Sequence, residues 1–140
     1  MNSKLLIPKL VCVLALLNLN CANNSTHKTR VPENPSLTVE QVKSIIDQDT
    51  DVVLLDVRTE AEFHGELGHL KNALLIPVQE LETRYTELEP YRNERIIVYC
   101  RSGGRSSRAT QFLRDKGFEV QNMQGGMRAW RARFGKEDTN

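Results

Sequence analysis

The stretch Arg95-Ile96-Ile97-Val98-Tyr99-Cys100-Arg101-Ser102-Gly103-Gly104-Arg105-Ser106-Ser107 runs from an apolar segment through a short polar loop into a new helical pattern. A continuous apolar segment of this kind is typical of a strand that is buried on both faces of a sheet. Similar runs occur at 52–57 and 74–76, residues 118–123 alternate as a last strand, and helical patterns separate these segments. Strands that alternate with helices predict an α/β fold, with a parallel sheet covered by helices on both faces.

The helical patterns are defined by their apolar spacing and their end signals. Thr38 and Gln41 predict a capping box ahead of the first helix. Val78, Leu81, Tyr85 and Leu88 recur at i, i+3, i+7 and i+10, which predicts one helical face. A short helical stretch is predicted at 59–63. Another helix follows the polar loop and ends at Gly117, and the last begins at Gly125-Gly126 and carries Met127, Trp130 and Phe134.

The first part of the chain of 140 residues differs from the rest. Lys4 and Lys9 precede the apolar run 10–17, a pattern that is typical of an export signal. The run is shorter than the roughly 20 residues that a helix needs to span a bilayer. We therefore predict a signal peptide at 1–20, a flexible polar tether at 22–35 and one folded domain at 36–136. Removing 1–20 leaves 17 basic and 18 acidic residues, a net charge of −1, which does not favour a nucleic-acid partner.

Cys21 follows the apolar run closely and is similar in position to the lipid-attachment cysteine of bacterial lipoproteins. Asn18 and Asn20 depart from that pattern, which prefers an aliphatic and a small residue there. We predict lipidation at Cys21, a periplasmic location on a bacterial membrane, and membrane contact only through the lipid anchor. The alternative is an ordinary signal that is cleaved nearby and leaves Cys21 in the tether.

The positions of the three cysteines leave Cys100 as the candidate reactive thiol. Cys12 lies inside the signal and Cys21 beside it, so Cys100 is the only cysteine of the predicted folded domain. This is not the pattern of a disulfide-bonded secreted domain. A lone cysteine is either a small buried hydrophobe or a free thiol kept for chemistry. Because ligands of open α/β sheets bind beyond the carboxyl ends of the strands, Cys100 stands where a site is expected.

The residues after Cys100 favour the reactive interpretation. Glycines allow a tight turn whose N–H groups converge on an anion, and the start of the next helix adds a positive end. Arginine charges favour a thiolate, so we predict a lowered thiol pKa. The candidate catalytic residue is Cys100, and the candidate substrate-binding residues are Arg101, Ser102, Gly103, Gly104 and Arg105. The alternative is a core cysteine beside arginines that only face solvent.

No metal or other cofactor is expected. The three histidines, His27, His64 and His69, together with Cys100 lack the spacing of a ligand set.

Linked motifs that follow one another along the chain resemble the rhodanese-like domain family. The loop from Cys100 matches its Cys-Arg-Ser-Gly-x-Arg-Ser form. The other matching segments are Leu55-Asp56-Val57-Arg58, Glu62-Phe63, Gly68-His69-Leu70 with Ala73, Ile76-Pro77, and Gly125-Gly126-Met127 with Trp130. The resemblance extends from about Ser36 to Trp130. It departs from the family pattern at His64-Gly65-Glu66-Leu67, where two extra residues precede Gly68.

The resemblance implies a sulfurtransferase with a ping-pong mechanism. Thiosulfate or a persulfide would donate sulfur to Cys100, and the Cys100 persulfide would pass it to cyanide, a small thiol or a protein thiol. Arg101 and Arg105 would orient an anionic donor. Asp56 and Arg58 would form a structural pair near the site. His69 is interpreted as a hydrogen-bonding residue and Trp130 as part of the core.

Two other functions fit parts of the same pattern. Cysteine-dependent phosphatases and arsenate reductases also place a cysteine before an anion-binding loop, but they have His-Cys and five residues before the arginine. Here Tyr99 precedes Cys100, and four residues separate it from Arg105. A persulfide-carrying or binding module that serves a periplasmic or membrane partner would use the same loop without turnover.

Overall fold

The computed structural model describes residues 36–48 and 51–136. The predicted signal peptide, Cys21 and the tether 22–35 lie outside these residues, so export and lipid attachment stay predictions from the sequence. Within the described ranges, every helix is too short or too polar to cross a membrane.

Four short strands form one sheet: β1 (Val53–Asp56), β2 (Leu74–Leu75), β3 (Ile96–Tyr99) and β4 (Val120–Asn122). Their order across the sheet is β2-β1-β3-β4, and every neighbouring pair is parallel. The register places Asp56 of β1 opposite Tyr99 of β3. The carboxyl ends of these two central strands therefore lie side by side, and Cys100 follows directly.

Helices cover the sheet on both faces, which confirms the predicted α/β class. They are α1 (Val39–Gln48), α2 (Glu60–Phe63), α3 (Leu81–Arg84), α4 (Gly104–Asp115) and α5 (Gly126–Phe134), with a 3-10 helix at Tyr85–Tyr91. Val98 packs in one buried cluster with Leu113 of α4, and its neighbour Tyr99 packs in another with Val42 of α1 and Trp130 of α5. Alternation along β3 divides the core in this way because successive side chains of a strand point to opposite faces.

The helix predicted through 78–88 is divided in two. The α-helix ends at Arg84, and the chain continues as a 3-10 helix that contains Pro90. Proline has no N–H to donate and its ring clashes with the preceding turn, so an α-helix does not continue through it. Leu81 and Leu88 are nevertheless both buried, so the pattern identified the apolar face correctly.

Candidate active site

Cys100 is the first residue after β3 and its side chain is almost enclosed. It has 1% of its surface exposed and is a free cysteine. The backbone of the loop that follows, which we call the cysteine loop (100–106), turns back over the sulfur. A group that reacts with this sulfur must therefore be narrow where it enters.

The Cys100 sulfur is surrounded by hydrogen-bond donors. The backbone N–H of Gly103 donates to Sγ at 3.2 Å, and the Ser106 hydroxyl lies 3.4 Å from it. Burial alone raises the pKa of the thiol, but hydrogen bonds from Ser106 and from the backbone of Ser102 and Gly103 outweigh burial and lower the pKa below its ordinary value. The loop therefore favours the thiolate form.

The two glycines of the loop have different roles. Gly103 has φ of +96°, a left-handed conformation that aims its N–H at the sulfur, and a Cβ there would lie 3.1 Å from the nitrogen of Gly125. Gly104 begins α4 and nothing lies within 4 Å of the position its Cβ would take. Only Gly103 is required by the turn, which corrects the expectation that both glycines shape it. Gly104 instead leaves open space on the outer side of the loop.

Helix α5 supports the cysteine loop from behind. The N–H of Met127 donates to the Cys100 carbonyl at 2.9 Å, and the N–H of Arg128 donates to the Arg101 carbonyl at 3.0 Å. This contact needs Gly126, because a Cβ on it would come within 2.8 Å of the Ser102 nitrogen. The motif Gly125-Gly126-Met127 thus holds the loop carbonyls away from the sulfur, and the loop N–H groups face it.

Arg105 is held by an acidic residue from a distant part of the chain. Its guanidinium donates to both carboxylate oxygens of Glu62, at 2.7 and 2.6 Å. The hydrogen bond from Arg105 is the main reason that the pKa of Glu62 falls to about 2. Cys100 is a weaker neighbour of the same guanidinium. Because Glu62 balances the charge of Arg105, the loop hydrogen bonds rather than the arginines account for most of the lowered thiol pKa.

Glu62 is itself fixed by the start of α2. The Thr59 hydroxyl accepts from the Glu62 N–H at 3.3 Å, and the Glu62 carboxylate accepts from the Thr59 N–H at 3.2 Å, which is a reciprocal capping box. The same carboxylate therefore closes a helix end and binds Arg105. Arg101 and Ser102, by contrast, are exposed on the outer surface of the loop.

Asp56 and Arg58 form a buried ion pair beneath the site. Both side chains are fully buried, and the Arg58 guanidinium donates to the Asp56 carboxylate at 2.6 to 2.9 Å. Arg58 also donates to the Gly68 carbonyl at 2.7 Å, so it ties the end of β1 to the segment that follows α2. Nη1 of Arg58 is buried and has no hydrogen-bond partner among the described residues. This arrangement is the structural pairing that the resemblance implied.

His69 stabilises the same segment. Its ring stacks on Phe63 with centroids 3.7 Å apart, and its Nδ1 lies 3.1 Å from the Phe63 carbonyl. Leu70 donates its N–H to the hydroxyl of Tyr99 at 3.2 Å. In residues 36–48 and 51–136 no three histidine, cysteine or carboxylate side chains are grouped as a metal site.

Two residues of this site were missed by sequence reasoning. Ser106 was not singled out, although it is fully buried and its hydroxyl also lies 3.1 Å from the Gly103 carbonyl, which is an alternative acceptor for its one proton. Glu62 belonged to a motif but had no assigned role. The only signal for Ser106 was its place in the loop motif, and no local signal links Glu62 to Arg105, which is 43 residues away.

The fold and the site define a class: α/β domains that hold a cysteine at the head of an anion-binding loop. The family model for the rhodanese-like domain matches residues 38–133. This chain belongs to the rhodanese-like domain family.

The chain is similar to two curated proteins with sulfur-related names. It is 40% identical over 86 residues to a sulfurtransferase of Allochromatium vinosum, covering 61% of this chain and 76% of that protein. It is 36% identical over 97 residues to the putative sulfur carrier protein YrkF of Bacillus subtilis, covering 69% of this chain and 50% of that protein. In other relatives the matched part is as little as 22% of the protein's length.

A solved structure shares the architecture. The rhodanese-related protein of Thermoplasma volcanium superposes with a TM-score of 0.64 at 28% identity, covering 71% of this chain and 93% of that one. This likeness agrees with the four-stranded parallel sheet and its helices.

The hydrogen bond from Ser106 can be tested by titrating the thiol. Ser106→Ala removes a donor to Sγ, so the midpoint for alkylation of Cys100 by iodoacetamide should rise above that of the wild type. Ser107→Ala is the matched control, because Ser107 is the exposed neighbour on the same helix and keeps its backbone hydrogen bond to Gly103. Equal midpoints for wild type and Ser106→Ala would show that the hydroxyl does not stabilise the thiolate.

Proposed function

We propose that this protein is a sulfurtransferase in which Cys100 carries a sulfane sulfur from a donor to a thiophilic acceptor. The observation that carries the proposal is the convergence of donors on the buried Cys100 sulfur, with the Gly103 N–H at 3.2 Å and the Ser106 hydroxyl at 3.4 Å, which favours the thiolate. Membership of a family with sulfurtransferase and sulfur-carrier relatives supports the same chemistry.

Loading begins with the thiolate. With thiosulfate as donor, the Cys100 thiolate attacks the outer sulfur, a new S–S bond forms, and the electron pair of the broken S–S bond leaves with sulfite. An organic persulfide would load the same atom and release its thiolate. Both reactions conserve charge and need no external oxidant or reductant. The exposed Arg101 is placed to attract an anionic donor.

The hydrogen bonds to Sγ that favour loading also favour discharge of the persulfide. The outer sulfur of a persulfide lies about 2 Å beyond Sγ of the buried Cys100 side chain. An acceptor thiolate or cyanide attacks this outer sulfur, and the electron pair returns to Cys100. Because a thiol of low pKa is a good leaving group, the donors around Sγ that favour the thiolate also favour this step.

A cysteine-dependent phosphatase is less consistent with the geometry. Phosphoryl transfer needs the loop arginine free to bind equatorial oxygens of the phosphate. Here Arg105 is engaged by both oxygens of Glu62. Its charge is therefore already balanced before any substrate arrives.

Mass spectrometry of thiosulfate-treated protein tests the proposal. The wild type should gain one sulfur atom on Cys100 and release an equivalent of sulfite, and cyanide should then remove the sulfur as thiocyanate. Repeated turnover with excess thiosulfate and cyanide supports an enzyme. Failure of Cys100 to gain sulfur from thiosulfate or from an organic persulfide would refute the proposal. Loading and discharge only once, or only to a protein partner, would favour the persulfide-carrying module.

A further inference from the structure

A cavity of about 310 Å³ lies beside the cysteine loop. The residues that define its chemistry are Arg58, Glu62, Gly65, Glu66, Leu67 and Arg101. It adjoins the loop at two points, since Arg101 follows Cys100 directly and Glu62 binds Arg105. The cavity therefore borders the loop that holds the reacting sulfur, although Cys100 is not itself one of its lining residues. Its volume is at the low end of small-molecule sites, so it suits a compact ligand.

One wall of this cavity comes from Gly65, Glu66 and Leu67, in the segment 64–67 that follows α2 and that we call the α2 extension. The segment turns tightly after α2: the Gly65 N–H donates to the Glu62 carbonyl at 3.3 Å, and the Gly68 N–H donates to the Gly65 carbonyl at 2.9 Å. A Cβ on Gly65 would lie 2.9 Å from the Ala61 carbonyl. Because this turn is held by its own hydrogen bonds, it places Glu66 and Leu67 at the cavity in a defined way.

The charges in the cavity wall fall into two groups. Glu62 is neutralised by Arg105, and Arg58 by Asp56. Arg101 and Glu66 are exposed, and neither side chain forms a hydrogen bond or ion pair with another residue in the described part of the chain. One uncompensated cation and one uncompensated anion thus line the same cavity.

We propose that this cavity binds the sulfur acceptor, and that the acceptor is a small amino-acid thiol with both an ammonium and a carboxylate group. Arg101 binds the carboxylate, Glu66 binds the ammonium, and the thiol faces the Cys100 persulfide. The proposal rests on the proposed sulfurtransferase function and names the acceptor class of that site. Complementary charges select a zwitterion, because Glu66 repels acceptors that are only anionic.

Transfer of sulfur from the Cys100 persulfide to the acceptor conserves atoms and electrons. The acceptor thiolate attacks the outer sulfur of the Cys100 persulfide, and a new S–S bond forms on the acceptor. The S–S bond to Cys100 breaks, and its electron pair remains on the Cys100 thiolate, which the Gly103 N–H and the Ser106 hydroxyl stabilise. The product is the amino-acid persulfide.

The test follows discharge of a preformed persulfide, so that loading does not affect it. Wild type and Glu66→Gln are loaded with thiosulfate, freed of excess donor, and mixed with L-cysteine, N-acetyl-L-cysteine or L-cysteine methyl ester. The second-order rate constant for loss of the persulfide is read by mass spectrometry. The ratio of variant to wild type is compared for each acceptor, because the intrinsic reactivity of each thiol then cancels.

Glu66→Gln should change the discharge rate constant in opposite directions for L-cysteine and for N-acetyl-L-cysteine. With L-cysteine, Glu66→Gln should lower the rate constant by about threefold to tenfold, since an ammonium partner is lost. With N-acetyl-L-cysteine, which has no ammonium, the same variant should raise it, since a repelling carboxylate is removed. Arg101→Gln should lower the rate constant for L-cysteine more than for its methyl ester. Glu119→Gln, on an exposed residue before β4 at the opposite end of the sheet, should change none of them.

The possible failures are distinguishable. If thiosulfate and organic persulfides do not load Cys100, the proposed function itself fails. If Cys100 loads and cyanide discharges it, but Glu66→Gln has the same effect on L-cysteine and N-acetyl-L-cysteine, the cavity does not recognise a zwitterion. An equal effect of Arg101→Gln on L-cysteine and its methyl ester would likewise overturn the assignment of the carboxylate to Arg101.

Discussion

Cys100→Ser should abolish sulfur transfer and leave the domain folded. A serine hydroxyl does not form a persulfide, so no sulfur can be carried between donor and acceptor. We expect turnover with thiosulfate and cyanide to fall by at least about 10³-fold, as is usual when a covalent nucleophile is removed. The measurement is thiocyanate formation under saturating donor. Mass spectrometry should find no added sulfur on the variant.

The fold of this variant needs its own measurement, because Cys100 belongs to the core as well as to the site. Its side chain is buried in the cluster that contains Val98 and Leu113. A buried serine hydroxyl costs about 1–2 kcal/mol, and the Gly103 N–H that now donates to Sγ remains as a partner for it. Urea unfolding should therefore remain cooperative with a modestly lower midpoint. Activity of the folded variant above a few per cent of wild type would show that Cys100 is not the sulfur carrier.

Asp56→Asn should have the largest effect on stability among conservative substitutions near the site. Asparagine keeps the shape of the side chain but leaves the guanidinium of Arg58 fully buried without a counter-charge. Breaking a buried pair from one side costs about 3–5 kcal/mol, which is a large part of the usual stability of a domain. We expect the free energy of unfolding in urea to fall by this amount.

Two further variants separate the loss of charge balance from a general effect of mutation. Adding Arg58→Met to Asp56→Asn removes the remaining buried charge, so the double variant should recover part of the lost stability. Glu87→Gln breaks an exposed pair with Arg84 and should lower stability far less. A double variant that is no more stable than Asp56→Asn, or an Asp56→Asn that matches Glu87→Gln, would contradict the role of the buried pair.

The fold could be predicted from the sequence because its signals are local. The apolar run before Cys100 became β3, and its four strand residues are all buried. The capping box at Thr38 is present, with Thr38 N–H donating to Gln41 at 2.9 Å and Gln41 N–H to Thr38 at 3.3 Å. Local prediction failed within 78–88, where the α-helix ends at Arg84 and a 3-10 helix that contains Pro90 follows, although the apolar spacing continues.

The site could be predicted only where its residues are neighbours in sequence. Cys100 and Gly103 lie within one turn of chain, so the N–H group that faces Sγ follows from the loop itself. The charges around Cys100 could not be predicted from the loop sequence in the same way. The sequence shows Arg105 as a second cation beside the thiol, but Glu62 neutralises it after folding.

The sequence by itself determined the α/β class, the strand that ends at Cys100 and the family, because each depends on spacing within short segments. Tertiary structure alone decided which charges remain uncompensated. Glu62 and Arg105 are 43 residues apart, and Arg101 and Glu66 line one cavity although they are distant in sequence. Such pairings arise because parallel strands bring the segments after their carboxyl ends to one edge of the sheet, and the sequence carries no local record of which side chains meet there.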